Sequence, residues 1–177
     1  MSKQYLIPDA VLTRYTDVTP AMLLERGIRA LLCDIDNTLA PYEQPLPDEQ
    51  NRVWLDALRE AGIRVALVSN NGRERVEAFG RALGVRAYWK SGKPSARVVR
   101  RVLREWDVAP HEAAMLGDQL LTDGCAGKRA GLYTIIVPPI RDKKTLFVRA
   151  KRAIERPFLR AYAHQAEQNE RKETKHS

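Results

Sequence analysis

Ala30-Leu31-Leu32-Cys33-Asp34-Ile35-Asp36-Asn37-Thr38 decides the fold. A short apolar run entered from Gly27 reads as a buried parallel strand, and two carboxylates follow it directly. Side chains alternate along a strand, so Asp34 and Asp36 are expected to project the same way just past its carboxyl end. In open parallel sheets, ligands bind at that end. Two carboxylates held together there repel, so a cation must sit with them or one must carry a proton. A turn or a helix cap could also use a lone Asp-x-Asp. The rest of the chain has to decide.

Before the strand, Thr19-Pro20-Ala21-Met22-Leu23-Leu24-Glu25-Arg26-Gly27 has the punctuation of a short helix, with Thr19 as cap, Pro20 in the first turn and Gly27 as stop. After it, a Pro-rich connection from Pro41 to Pro47 leads to a predicted helix over 48–61. Arg64 to Ser69 reads as a second strand, 73–83 as a helix, and Arg86 to Trp89 as a third strand. Lys93-Pro94 is expected to open a helix reaching Trp106. Ala113 to Leu116 follows as a fourth strand, 123–130 as a helix, and Leu132 to Val137 as a fifth strand. This alternation predicts an α/β fold: a three-layer, Rossmann-like parallel sheet of five strands with right-handed crossovers.

A chain of 177 residues can build one domain with a real core. No stretch approaches the ~20 apolar residues that span a bilayer, and 1–8 lacks the features of a secretory signal. Two cysteines, Cys33 and Cys125, make no disulfide framework, which predicts a reducing, cytoplasmic setting. The net charge of +8 is uneven, because 141–177 alone contributes +6. Residues 1–140 are therefore read as one folded domain and 141–177 as a basic helical extension with a frayed end.

Several polar groups fall just past the predicted strands: Asp34 and Asp36, Ser69 and Asn70, Lys93, then Asp118 and Asp123. Each alone has a structural reading as a turn, a cap or a solvated lysine. Their sharing of one sheet edge is harder to explain that way. Asp34, Asp36 and Asp118 form an oxygen-rich site suited to Mg²⁺, while Lys93, Ser69 and helix-start N–H groups suit an anion. A divalent cation beside anion donors points to phosphoryl transfer.

Asp34-Ile35-Asp36-Asn37-Thr38, Ser69, Lys93-Pro94 and Gly117-Asp118-Gln119-Leu120-Leu121-Thr122-Asp123 resemble, in order and spacing, motifs one to four of the haloacid dehalogenase-like (HAD) hydrolases, over about residues 28 to 137. The Asp-Asn-Thr, Ser-Asn-Asn and Gly-Asp-Gln-x-x-Thr-Asp details, with Leu6-Ile7-Pro8 and Thr145 to Leu159, are similar to the YqeG-type branch of subclass IIIA. That branch is related to mitochondrial phosphatidylglycerophosphate phosphatases. The resemblance implies Mg²⁺-dependent hydrolysis of a phosphomonoester through an aspartyl-phosphate. It implies Asp34 as nucleophile and Asp36 as acid and then base. Ser69, Asn70 and Lys93 would bind phosphoryl oxygens, with Lys93 also relieving repulsion at the nucleophile. Asp34, Asp118 and the carbonyl of Asp36 would hold the metal, with Thr38 and Asp123 in support.

Neither 37–47 nor 90–92 has room for a cap domain, so the site is expected to be open. An open site favours a phosphate presented by something large, and by resemblance a lipid such as phosphatidylglycerophosphate. Apolar and basic residues in 146–156 alternate near helical spacing, which allows peripheral contact with an anionic membrane or simple docking on the domain. Two alternatives remain: the same chemistry on a phosphoprotein, nucleotide or sugar phosphate, or a non-catalytic nucleic-acid-associated assembly protein. No nucleic-acid-reading module with interleaved aromatics is visible, which disfavours the last.

Overall fold

The computed structural model describes residues 7–141, together with Pro157 and Tyr162. Six parallel strands form one sheet: β1 Ala10–Val11, β2 Ala30–Cys33, β3 Arg64–Val68, β4 Arg86–Tyr88, β5 Ala113–Gly117 and β6 Tyr133–Ile136. Their order is β1-β6-β5-β2-β3-β4. The chain therefore moves outward from β2 through β3 to β4, then returns to the other side of β2 for β5. This reversal opens a crevice at the carboxyl ends of β2 and β5, where Cys33 lies in register with Leu116.

The expected five strands are corrected to six. The addition, β1, is too short to show any periodicity in sequence, and its neighbours impose its conformation. Asp9 N donates to Thr134 O at 2.9 Å and Leu12 N to Ile136 O at 3.0 Å, which ties this segment to β6. The Asp9 carboxylate accepts from Thr134 N at 2.7 Å and from Thr134 Oγ1 at 2.8 Å.

Helices cover both faces. α1 (Pro20–Leu24), α2 (Glu49–Glu60) and α3 (Arg73–Leu83) share one core with the sheet, while α4 (Arg97–Trp106) and α5 (Cys125–Ala130) share the other. β2 shows why its sequence is apolar throughout: Leu31 and Cys33 enter the first core, and Ala30 and Leu32 the second. Each fully buried leucine or phenylalanine stabilises the fold by about 1.5–3 kcal/mol. The predicted Thr19 cap is present, its Oγ1 accepting from Met22 N at 3.2 Å, and Asp48, expected inside α2, caps it instead, accepting from Asn51 N at 2.9 Å.

Two element boundaries differ from expectation. The helix predicted to open at Lys93 begins at Arg97, because Ser95 N closes a turn on Gly92 O at 2.9 Å before the first helical bond. Proline suits both a turn and a helix start, so Pro94 did not discriminate between them. The helix predicted from Asp123 is preceded by a π turn over Leu120–Gly124, with Gly124 N donating to Gln119 O at 3.3 Å.

No independently folded lid occupies 34–48 or 89–96, which hold turns and irregular chain. The expected basic helix over 141–177 lies outside the described residues, apart from Arg141, Pro157 and Tyr162. Among the described residues no helix is long and apolar enough to cross a membrane.

Candidate active site

Asp34 stands one residue past β2, and its N–H extends the ladder by donating to Leu116 O at 2.9 Å. That bond brings it beside Gly117-Asp118 at the end of β5. Lys93 arrives from the loop after β4, and its Nζ meets three acceptors: Asp34 Oδ1 at 2.8 Å, Asp123 Oδ1 at 2.6 Å and Val68 O at 2.7 Å. Asp34 and Val68 accept hydrogen bonds from the ammonium, and Asp123 meets it as an ion pair. The lysine side chain is only 2% exposed, which makes this a desolvated charge cluster rather than a surface ion pair.

Asp123 reaches the cluster through the π turn. Its other oxygen accepts from Gln119 N at 3.1 Å and Thr122 Oγ1 at 3.3 Å. Gly117 makes room for it: a Cβ there would lie 2.3 Å from both Cβ and Cγ of Asp123. The Gly117-Asp118 pair thus supplies one carboxylate and, by lacking a side chain, seats another.

Oxygens of Asp34, Asp118 and Asp123 lie within 4.8 Å of one another. Three carboxylates against one lysine leave the cluster two positive charges short of neutrality. Burial, above all, pushes Asp34 up to about 7 from 3.8, opposed by Lys93 and reinforced by Asp123. Asp118 rises to about 8 for the same primary reason, with Asp123 and Asp34 adding repulsion. Burial alone would lower Lys93, but Asp123 and Asp34 outweigh it and raise it. Oδ1 of Asp118 is buried without a hydrogen-bond partner. Hard oxygen donors, a deficit of two charges and an unpartnered carboxylate oxygen fit a small divalent cation.

Asp36 departs from the expected geometry. The chain leaves the strand at Cys33, so the alternation that would align Asp36 with Asp34 is no longer imposed by the ladder. The Asp36 carboxylate therefore stands outside the three-carboxylate cluster. Arg75 Nε donates to its Oδ1 at 2.8 Å, while Asn71 Nδ2 at 3.1 Å and Ser69 Oγ at 3.4 Å donate to its Oδ2. Arg75 also donates to Gln44 O at 2.8 Å and Pro41 O at 3.3 Å, strapping the connection after Asp36 to α3. Sequence reasoning missed Arg75 and Asn71. Their only signal was a position just beyond β3 at a helix start, which Arg73 shares.

The other expected residues divide. Ser69 is buried at the edge beside Asp36. The Asn70 side chain is committed to the neighbouring loop, its Oδ1 accepting from Ser91 Oγ and Lys93 N at 2.8 Å each, and its Nδ2 donating to Lys93 O at 2.9 Å. It positions Lys93, and a phosphate-binding role would fall to its main chain. Thr38 is fully buried, with Oγ1 unpartnered, in the turn closed by Asn37 N on Ala40 O at 2.7 Å.

A doubly wound parallel sheet with clustered carboxylates, a buried lysine and a hydroxyl at its switch point has the parts that metal-assisted phosphoryl-transfer enzymes use. Residues 44–131 match the family model described as haloacid dehalogenase-like hydrolase. The chain is 34% identical over 161 residues to the probable phosphatase YqeG of Bacillus subtilis (strain 168), spanning 91% of this chain and 94% of that protein. An uncharacterised protein from Listeria monocytogenes serotype 4b shares the fold with TM-score 0.53 and 16% identity, over 67% of this chain and 85% of that one. A HAD hydrolase of subfamily III A from Legionella pneumophila does so with TM-score 0.50 and 23% identity, over 70% and 75%. The chain belongs to the haloacid dehalogenase-like hydrolases, and it is a phosphatase of that family.

Proposed function

We propose that this enzyme hydrolyses a phosphomonoester at the β2–β5 crevice through an aspartyl-phosphate, with Mg²⁺ as its divalent ion. The observation that carries the reading is the convergence of Asp34, Asp118 and Asp123 about Lys93. The Asp34 oxygen that Lys93 does not hold forms the bond to phosphorus as the ester P–O bond breaks, and Asp36 gives its proton to the departing oxygen. Asp36 then takes a proton from water, whose oxygen attacks phosphorus. The P–O bond to Asp34 breaks, and inorganic phosphate leaves. Ser69 can accept as well as donate, so it is the Asp36 partner compatible with a proton on Oδ2. Asp34, Asp118 and the Asp36 carbonyl would hold Mg²⁺, which supplies charge neutralisation at the phosphoryl oxygens. Asp123 aligns Lys93, and Lys93 keeps Asp34 from being repelled by its neighbours.

The substrate is best read as a lipid phosphomonoester such as phosphatidylglycerophosphate. The open edge supports a phosphate borne by something large. Tyr42, Leu46, Trp89 and Ile140 are exposed large apolar residues that all follow strand ends on the catalytic side. Apolar side chains beside basic ones suit an anionic membrane surface, and the net +6 of 141–177 adds to that attraction. Peripheral membrane contact follows from this reading, and nucleic acid is not required by it.

In the full-length protein with Mg²⁺, Asp34→Asn is expected to cut turnover of 4-nitrophenyl phosphate and of vesicle-borne phosphatidylglycerophosphate by about 10³-fold or more while preserving the circular dichroism spectrum. Retained turnover would remove Asp34 as the nucleophile. Turnover of the aryl phosphate without the lipid would remove the lipid reading and leave the chemistry standing.

A further inference from the structure

A cavity of about 650 Å³ opens beside the catalytic loop, between the end of β4 and the first two turns of α4. Its lining includes Trp89, Lys90, Ser91, Arg97, Arg101 and Arg104. Ser91 is a wall shared with the catalytic site. Its N–H donates to Ser69 O at 3.0 Å and its hydroxyl to Asn70 Oδ1 at 2.8 Å, which ties it to the end of β3. Arg97, Arg101 and Arg104 fall on one helix face and span about 10 Å along its axis. Arg101 is balanced by Glu105 at 3.3 Å and lies over the Tyr88 ring at 5.0 Å. Lys90, Arg97 and Arg104 have no acidic partner among the described residues.

Three uncompensated cations in one concavity favour an anion, and guanidinium groups favour the planar oxygen pairs of phosphate. The chain's own C-terminal segment carries net +6 and is electrostatically mismatched to this surface. The volume suits the body of a small phosphorylated ligand.

We propose that this cavity binds a second phosphate group of the substrate, a phosphodiester or a further phosphomonoester, while the first reacts at Asp34. The inference rests on the phosphatase reading and adds to it the requirement for a doubly phosphorylated substrate. The loop carrying Lys93 separates the two groups, so the ligand straddles Ser91. Binding energy collected in the cavity anchors the ester over an open site that no lid encloses.

The test uses the full chain and the double variant Arg97→Ala/Arg104→Ala, both exposed positions outside the catalytic machinery. The KM for glycerol bisphosphate and for short-chain phosphatidylglycerophosphate is expected to rise on the order of tenfold, with kcat/KM for 4-nitrophenyl phosphate within about twofold. An effect on the lipid alone assigns the cavity to a headgroup phosphodiester. An effect on the bisphosphate alone assigns it to a phosphomonoester. No effect on either, or an equal effect on the aryl phosphate, overturns the proposal. So does a variant that loses only the binding of a single-stranded RNA oligomer. A titration keeps the two readings separable: Asp34→Asn protein should bind glycerophosphoglycerol or glycerol bisphosphate, and the added double substitution should weaken at least one of the two on the order of tenfold. If wild type turns over no phosphate ester but this weakening holds, the phosphatase reading fails and the anion site stands. If the binding of both is unchanged, the anion site fails whatever the turnover.

Discussion

Gly117 contributes no side chain, yet it fixes the position of Asp123 and, through it, Lys93. A methyl group there would lie 2.3 Å from two carbons of Asp123, far inside contact distance. Asp123 hangs from a π turn bonded to Gln119 and cannot retreat without breaking that turn. Gly117→Ala is therefore expected to lower kcat on an aryl phosphate by about 10²-fold or more, since a 1 Å error at a reacting group costs that much. A variant retaining full kcat would show that Asp123 is dispensable. Asp34, Ser69, Lys93 and Asp118 were legible in sequence because each follows an apolar run that ends in polar residues. The separation of Asp36 from the carboxylate cluster was not, because it depends on Arg75 and Asn71 holding that carboxylate, which nothing in the apolar run announces. Arg75 was hidden for a different reason: nothing local distinguishes it from Arg73, which pairs with Glu77 at 2.9 Å and lies over Trp89.

α3 and β4 show how closely elements approach beneath the site. Gly80 faces β4, and an added Cβ would meet Ala87 Cβ at 2.5 Å and Val85 O at 3.1 Å. Alanine is the better helix former by about 1 kcal/mol, while overpacking a tight contact costs about 1–3 kcal/mol. The second effect wins, because the neighbours include main chain that cannot rotate away. Gly80→Ala should lower stability by about 1–2 kcal/mol in urea unfolding with an unchanged m-value. A stabilised variant would mean that the helix shifts freely on the sheet. The central strands were readable as elements because each is buried on both faces and hence continuously apolar. β1 was not, since two residues carry no period, and the start of α4 was misjudged because a Lys-Pro step fits a turn as well as a helix.

The molecule as a whole carries its charge cluster at a cost in stability. Burial, chiefly, lets Asp34 and Asp118 hold protons up to about pH 7 and about pH 8, from an ordinary 3.8. An unfolded chain would release those protons near 3.8. The folded state thus binds more protons between about pH 4 and pH 8, so stability falls as pH rises through that window. In chelator, the unfolding temperature should drop from about pH 5 to about pH 8. Millimolar Mg²⁺ should restore it at the higher pH, with each kcal/mol giving roughly 2–4 °C, and should do little at the lower pH. Equal shifts at both would indicate that the ion binds away from these carboxylates. The Arg75 strap bears on what the scaffold can become. Its guanidinium grips two carbonyls of the segment after Asp36 as well as Asp36 itself. Grafting an inserted module between Pro41 and Gln44 would cut these tethers and unseat the Asp36 carboxylate. This architecture has traded the freedom to acquire a roof for a firmly braced carboxylate.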